Sequence, residues 1–513
     1  MIINKIAALT LFFGFVACEA HSQTYTDDIF RYSRTTFSGT ARTQSLAGAQ
    51  TSLGGDLGSL SANPAGLGFF RRSDFSLSPM FTNNFVNSSY QGSKFSNSKN
   101  TLDFGNMGVV WATSTPQADE AKKGAGWLSY AFGIGYSRTA DFNSNLSFAG
   151  KNSSSSFTQF LANQANQYEG TSSGVNFDQS GGATDQSLPG QAYNGYLIDR
   201  VTDPTTKKTS YAPAATLGNG SFVSQSGSNY QAGSINDINL SFGTNYGNVL
   251  YLGLGANIST LHYSYGFNFN ETGLNSAGNT APTGLAYNEN FEVAGTGFSA
   301  KAGLIFRPVE SFRVGGYIQT PTWYKLTEST DNAQVTGVNG SGQPNYSPNP
   351  AYIDYSSSYS VKTPWRYNFG ASYFFKTYGF LSADVELVDY RSANFHSSDN
   401  SFNSSVNTTT NASLASAVNY RLGAEVRLGL VSLRGGYALY GNPYNASRGP
   451  SSEATSYTGG IGYRSRNFYI DGAVINTAYN SSYQAYTVSQ GLSPSAFLKN
   501  TRTDVMITFG SRF

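Results

Sequence analysis

The chain has a single cysteine, Cys18, which falls in a segment expected to be removed on export, so disulfides, thiol catalysis and cysteine metal sites drop out together. Charge is scarce as well. Charged residues make up 12% of the chain, about half the usual share, and a net charge of +2 is too small to suggest nucleic acid as a partner. Histidine is rarer still: beyond the leader only His262 and His396 remain, and an esterase or phospholipase needs a nucleophile, a base and an orienting group. No phosphate loop, zinc spacing or calcium loop is present. The reading is a non-enzyme with no cofactor and no metal. Long apolar runs are also missing, since none approaches the roughly 20 residues of a membrane-spanning helix. Any membrane crossing must use strands.

What the chain does have is 56 glycines, 35 tyrosines, 36 phenylalanines and an aromatic share of 15%. That composition suits strands facing lipid on one side and a crowded or wet lumen on the other. The N-terminus runs Met1-Ile-Ile-Asn-Lys5, then apolar from Ile6 to Ala17, then Ala20-His21-Ser22 before Gln23. This is the charged, apolar, small-residue order of a secretory signal, with cleavage expected after Ser22. The alternative is a lipoprotein signal, because Phe15-Val16-Ala17-Cys18 loosely resembles a lipobox.

Alternating segments recur through the rest. Val505, Ile507, Phe509 and Phe513 share one face of the last segment, and the chain stops at an aromatic, as terminal barrel strands do, so Phe509 and Phe513 are read as the signal to the barrel assembly machinery. Leu128, Tyr130, Phe132, Ile134 and Tyr136 alternate with Ser129, Ala131, Gly133, Gly135 and Ser137. Tyr246-Gly247-Asn248 signals a tight hairpin. Fourteen strands are predicted near 73–84, 101–114, 126–140, 235–246, 249–270, 288–307, 311–327, 365–376, 378–392, 417–428, 430–442, 456–466, 467–481 and 501–513. The segments 85–100, 141–234, 271–287, 328–364, 393–416, 443–455 and 482–500 then become long polar loops that alternate with short turns, the parity of an outer-membrane β-barrel with both termini periplasmic. The loop 141–234 reads either as a solvated loop or as an extracellular lid. His262, high on a predicted strand, and His396, at a loop entrance, read as rim residues.

Two features stand apart from the strands. If Leu381, Ala383, Val385 and Leu387 face lipid, Asp384 and Glu386 point inward; the same parity turns Arg421, Glu425 and Arg427 inward, with Arg434 on the next strand. A charge on the lipid face costs about 2–4 kcal/mol at midplane, so these six are expected to form a ladder on the inner wall. The ladder either rigidifies the wall or offers an arginine to a ligand carboxylate. The stretch 23–72 shows little alternation. It carries Ala41-Arg42-Thr43-Gln44-Ser45-Leu46-Ala47-Gly48-Ala49, Gly54-Gly55-Asp56 and Ser61-Ala62-Asn63-Pro64-Ala65-Gly66-Leu67. Small residues let such a segment pack against a wall and fill a lumen.

Asn63-Pro64-Ala65, preceded by Asp56, resembles the hatch signature of the FadL/TodX family of outer-membrane transporters for hydrophobic compounds. Gly303-Leu304-Ile305-Phe306-Arg307-Pro308 with Phe312-Arg313-Val314-Gly315, Tyr317 and Pro321 is similar to that family's strand-turn-strand element. Tyr367-Asn368-Phe369-Gly370, Ser382-Ala383-Asp384-Val385, Arg421-Leu422-Gly423-Ala424-Glu425 and Leu433-Arg434-Gly435-Gly436-Tyr437 extend the likeness, whereas 85–290 matches only in strand pattern. The resemblance, to a Bacteroidetes-type member, implies a signal peptide (1–22), an N-terminal hatch or plug (23–72) and a fourteen-stranded transmembrane barrel (73–513). It further implies passive uptake of hydrophobic compounds such as long-chain fatty acids, with Asp56, Asn63, Pro64 and Ala65 in a hatch that gates a lateral exit. A second reading follows from the same family: a scaffold or accessory subunit of a larger outer-membrane machine, type 9 secretion for example. A detergent-sized apolar cavity near the hatch and a gap in the wall favour transport; a stable large partner and no cavity favour the scaffold.

Overall fold

The structure, a computed structural model, describes residues 18–115, 126–171, 187–215, 217, 220–274, 282–344, 355–445, 451–489 and 493–513. Most of the expected export signal lies outside these residues, and the expected cleavage point after Ser22 falls within the first described helix, α1, Cys18–Ser33.

Strands of period two, apolar outward and small or polar inward, close on themselves. They are β1 (Asp74–Tyr90), β2 (Ser93–Ser114), β3 (Trp127–Asp141, continued by Ser144–Asn152), β4 (Val223–Tyr246), β5 (Leu250–Thr272), β6 (Gly284–Val309) and β7 (Phe312–Gln319, continued by Trp323–Val338). The series continues with β8 (Tyr355–Lys362 and Arg366–Phe374), β9 (Gly379–Asp389, with Asn394–His396), β10 (Ser416–Leu428), β11 (Val431–Tyr440), β12 (Ala454–Arg464), β13 (Phe468–Gln484) and β14 (Ser495–Arg512). Each pairs antiparallel with its neighbour, and β14 returns to β1 from Asp74↔Arg512 to Ser89↔Phe497, so the expected fourteen-stranded barrel is present. The outward face is a belt of exposed rings and aliphatics, among them Trp111, Phe132, Phe242, Leu254, Phe369, Leu422, Ile461 and Phe509. No helix among the described residues is long and apolar enough to cross a membrane; the strands do so, in the manner of an outer-membrane barrel.

The short turns sit at the end that carries the C-terminal Phe513. The Gly247-Asn248 turn has positive φ at both residues (58° and 57°), the type I′ geometry that joins twisted strands. The opposite, outer end differs from expectation in extent. Residues 85–100 are no loop: β1 and β2 pair without interruption to Tyr90↔Ser93 and close over Gln91-Gly92, again with φ positive at both. Likewise the strands run on over 328–338, 355–362, 482–484 and 495–500, and Ser144–Asn152 and Val223–Ser234 within 141–234 pair with each other or with β5. These extensions rise beyond the hydrocarbon, so their outward faces carry Asn and Ser, as in the exposed Asn83–Asn100 and Asn87–Ser96 hydrogen bonds, and the apolar alternation that marks a strand fades.

Two packed regions fill the barrel. In the inner one, α1 lies among Ile235, Leu261, Tyr263, Val293, Tyr324 and Phe395 of the wall, with α5 (Asn400–Ser413) beside it. At the outer mouth, α3 (Phe157–Thr171) and α4 (Leu188–Asn194), numbered after the short α2 (Ala41–Ser45), close the opening against Tyr90, Phe148, Phe269, Tyr287 and Leu498.

Candidate functional site

Thr40, with β-region backbone, caps α2 through its side chain. The chain then turns back tightly, and two 3-10 helices follow, Leu57–Leu60 and Pro64–Phe69. Asp56 caps the first, accepting from the Gly58 amide at 2.9 Å, and also accepts from Thr40 Oγ1 (2.7 Å) and Thr43 Oγ1 (3.0 Å). Asn63 caps the second: Oδ1 accepts from the Ala65 amide at 3.1 Å, and Pro64, in the first turn, gives up no hydrogen bond there. Asn63 Nδ2 donates to Thr51 O at 2.7 Å and to Leu304 O of β6 at 3.2 Å. The wall makes room at Gly303 and Gly253, where an added Cβ would lie 2.0 Å from Asn63 Oδ1 and 2.2 Å from Ala65 N. Asn63, Pro64 and Ala65 are thus buried against the inner faces of β4–β7, whereas Asp56 is buried beside α2 and lies 3.9 Å from Arg464 of β12.

Five of the six inward charges are brought together in two groups. Glu386 accepts from Arg421 Nη2 (2.5 Å), Arg366 Nη1 (3.0 Å) and Asn419 (2.8 Å). Glu425 accepts from Arg434 (2.7 Å), Arg427 (2.7 Å) and Arg42 (3.1 Å) of α2, and Arg434 goes on to Asp471 at 2.6 Å. Asp384 differs. It stands across from Arg421 in register, yet its carboxylate accepts from the Thr51 amide at 2.9 Å while Arg421 turns to Glu386. The sequence reading missed Arg42, Arg366 and Asp471, although Asp471 alternates with Ile470 and Gly472 on β13 in the pattern that pointed to Asp384. Every one of these arginines already has a carboxylate.

Between α1, the wall and the roof of α3 and α4 lies a cavity of about 1890 Å³. Phe157, Tyr265, Phe267, Tyr287 and Tyr483 line its outer part; Met80, Gly105, Arg138, Asp141 and Asn143 line its side. That side is where the wall loses its ladder. Pairing of β2 with β3 ends at Asn106↔Ser137. Beyond it β2 continues paired to β1 alone, and after the break at Phe142-Asn143 β3 continues paired to β4 alone. Side chains span the seam: Arg138 meets Asp103, and lies 3.7 Å from Asp141. On the lumen side the N-terminal segment covers it, with the Thr36 amide donating to Thr139 O at 2.7 Å and Ser38 Oγ to Gly105 O at 3.3 Å.

The two histidines are placed far from any such chemistry. His262 is exposed on β5 and meets Glu292 at 2.8 Å, and His396 meets Asn403 at 3.4 Å. Among the described residues no cluster of His, Cys, Asp and Glu could hold a metal ion. Phe509 and Phe513 lie exposed on the outward face at the terminal edge, the Phe513 amide donating to Ser73 O at 3.0 Å.

No protein-family model matches the sequence, and a search of curated proteins finds no match. Solved structures do match. A Pseudomonas aeruginosa FadL homologue is 13% identical over 93% of this chain and 98% of its own, with a TM-score of 0.53. The Ralstonia pickettii toluene transporter TbuX is 14% identical over 93% and 99%, with a TM-score of 0.50. A TodX deltaS2S3 mutant monoaromatic hydrocarbon channel is 12% identical over 93% and 99%, with a TM-score of 0.51. This chain therefore has the fold of the FadL homologue and of these transport channels, a closed fourteen-stranded outer-membrane barrel.

Proposed function

We propose that the protein is an outer-membrane channel for passive uptake of hydrophobic compounds, long-chain fatty acids among them, in which residues 23–72 form a hatch that gates a lateral exit between β2 and β3. The observation that carries this reading is the cavity, ring-lined at its outer part and ending at a seam where two long strands run on unpaired with each other. An alkyl chain entering such a space gains about 0.8 kcal/mol per buried methylene, and leaving sideways into lipid spares it the polar periplasm. The fold neighbours TbuX, a toluene transporter, and TodX, a monoaromatic hydrocarbon channel, support the same reading. A scaffold subunit needs neither cavity nor seam.

The hatch holds its place through the Asn63 amide, which ties Thr51 to the β6 backbone. Asn63→Ala is expected to change uptake of radiolabelled oleate in whole cells at unchanged barrel abundance. Equal uptake by intact protein, variant and a strain lacking the protein would sink the transport reading and leave the scaffold.

A further inference from the structure

We infer that Arg34 is the receptor for the ligand's carboxylate head group and so sets both the specificity and the orientation of the bound molecule; this rests on the channel reading. Among the described residues four arginines line the cavity: Arg31, Arg34, Arg138 and Arg502. Three are occupied. Arg31 pairs with Asp28, Arg138 with Asp103, and Arg502 with Asp504 at 2.9 Å. Arg34 has no carboxylate partner among the described residues. Its half-buried guanidinium lies against the rings of Phe30 and Tyr479, with centroid distances of 5.7 and 5.3 Å. Ring faces favour a cation but leave the planar fork of N–H donors unused, and that fork matches a carboxylate in two-point geometry.

Placement adds to this. Arg34 directly follows α1, its amide donating to Phe30 O at 2.9 Å, and two residues on Thr36 is bonded to Thr139 beside the break in β3. A head group held by Arg34 would therefore stand beside Tyr479 of β13, on the stretch of chain that runs on to the seam. Glu289 and Glu328, on the outer reaches of β6 and β7, line the outer part of the same space. A carboxylate finds its donor fork at Arg34, and the alkyl tail then lies along Tyr265, Phe267 and Tyr287.

The test compares equilibrium binding of oleate and of oleyl alcohol to the full-length protein in nanodiscs, with empty discs subtracted. A charge-assisted, two-point contact is expected to favour oleate over the alcohol by about tenfold or more. Arg34→Gln should erase that preference while leaving alcohol binding unchanged, and Arg34→Lys should keep part of it. Arg391→Gln, at an exposed loop ion pair, should keep all of it. An unchanged oleate preference in Arg34→Gln, or no preference in the wild type while both ligands bind, overturns the role of Arg34 and leaves the channel standing. Binding of neither ligand to the wild type overturns the channel reading itself.

Discussion

Glu425 shows what a single inward side chain does in this wall. It accepts from three arginines, one on its own strand, one on β11 and one on the N-terminal segment, so it fastens α2 to the barrel as well as β10 to β11. Arg434 is wholly buried between Glu425 and Asp471. Removing one member of a buried pair leaves an uncompensated charge, at a cost of about 3–5 kcal/mol. Arg434→Ala should therefore lower the temperature at which the folded barrel loses its fast mobility in a gel; an unchanged transition would mean that water replaces the guanidinium freely. The inward sense of Asp384, Glu386, Arg421 and Glu425 could be read from strand parity, because the penalty for a charge in lipid allows only one face. Their partners could not. Asp384 and Arg421 sit opposite each other, and which of them pairs is decided by Thr51, a residue more than three hundred positions away whose approach no local pattern encodes.

Among the elements, the roof of α3 and α4 is tied down by one carboxylate. Glu271, at the outer end of β5 and beyond the lipid-facing run that ends near Ile258, accepts from Ser156, from the Phe157 amide at 3.0 Å and from Gln225 at 2.6 Å. Burial raises its carboxyl above the ordinary value of 4.5 despite the opposing pull of those donors. A folded-state pKa above the unfolded one means that the closed roof holds the proton more readily. This group's contribution is full below the unfolded value and is lost as pH rises through the folded one. Hydrogen exchange at the Phe157 amide, corrected for its intrinsic rate, should thus quicken from pH 5 to pH 8, and Glu271→Gln should flatten that dependence; equal slopes would contradict it. At the other end of the chain, Phe513 projects outward from β14, and its deletion should reduce folded barrel in the membrane while leaving export intact. Breaks in strands were legible only in part. Those in β7 and β8 carry Pro321 and Pro364, which cannot donate to a ladder, whereas the break in β3 at Phe142-Asn143 has neither proline nor glycine to announce it.

At the scale of the whole molecule, fourteen strands could be counted from sequence because closure and loop parity constrain every segment at once, whereas the fit of the N-terminal segment rests on contacts spread around the full circle of the wall. If that segment is a hatch, fixing it should close the route. An added Cβ at Gly423 would lie 3.0 Å from the Cβ of Leu46 and 2.9 Å from its carbonyl oxygen, inside the roughly 3.5–4.5 Å Cβ separation of a disulfide, so Leu46→Cys with Gly423→Cys, in a Cys18→Ser background, cross-links once the Leu46 backbone draws back from the wall. Leu46 lies at the end of α2. Thr40 and Thr43 of the same turn are bonded to Asp56, so pinning residue 46 restrains the stretch through Ser38 and Thr36 that covers the seam. Oxidised, the double variant should take up oleate several-fold more slowly than either single variant; reduction should restore the rate, with barrel abundance and surface exposure the same throughout. Uptake indifferent to the cross-link would show that ligands pass the seam without the segment moving, and the gate would then have to be sought in the side chains that span it, Arg138 and Asp103.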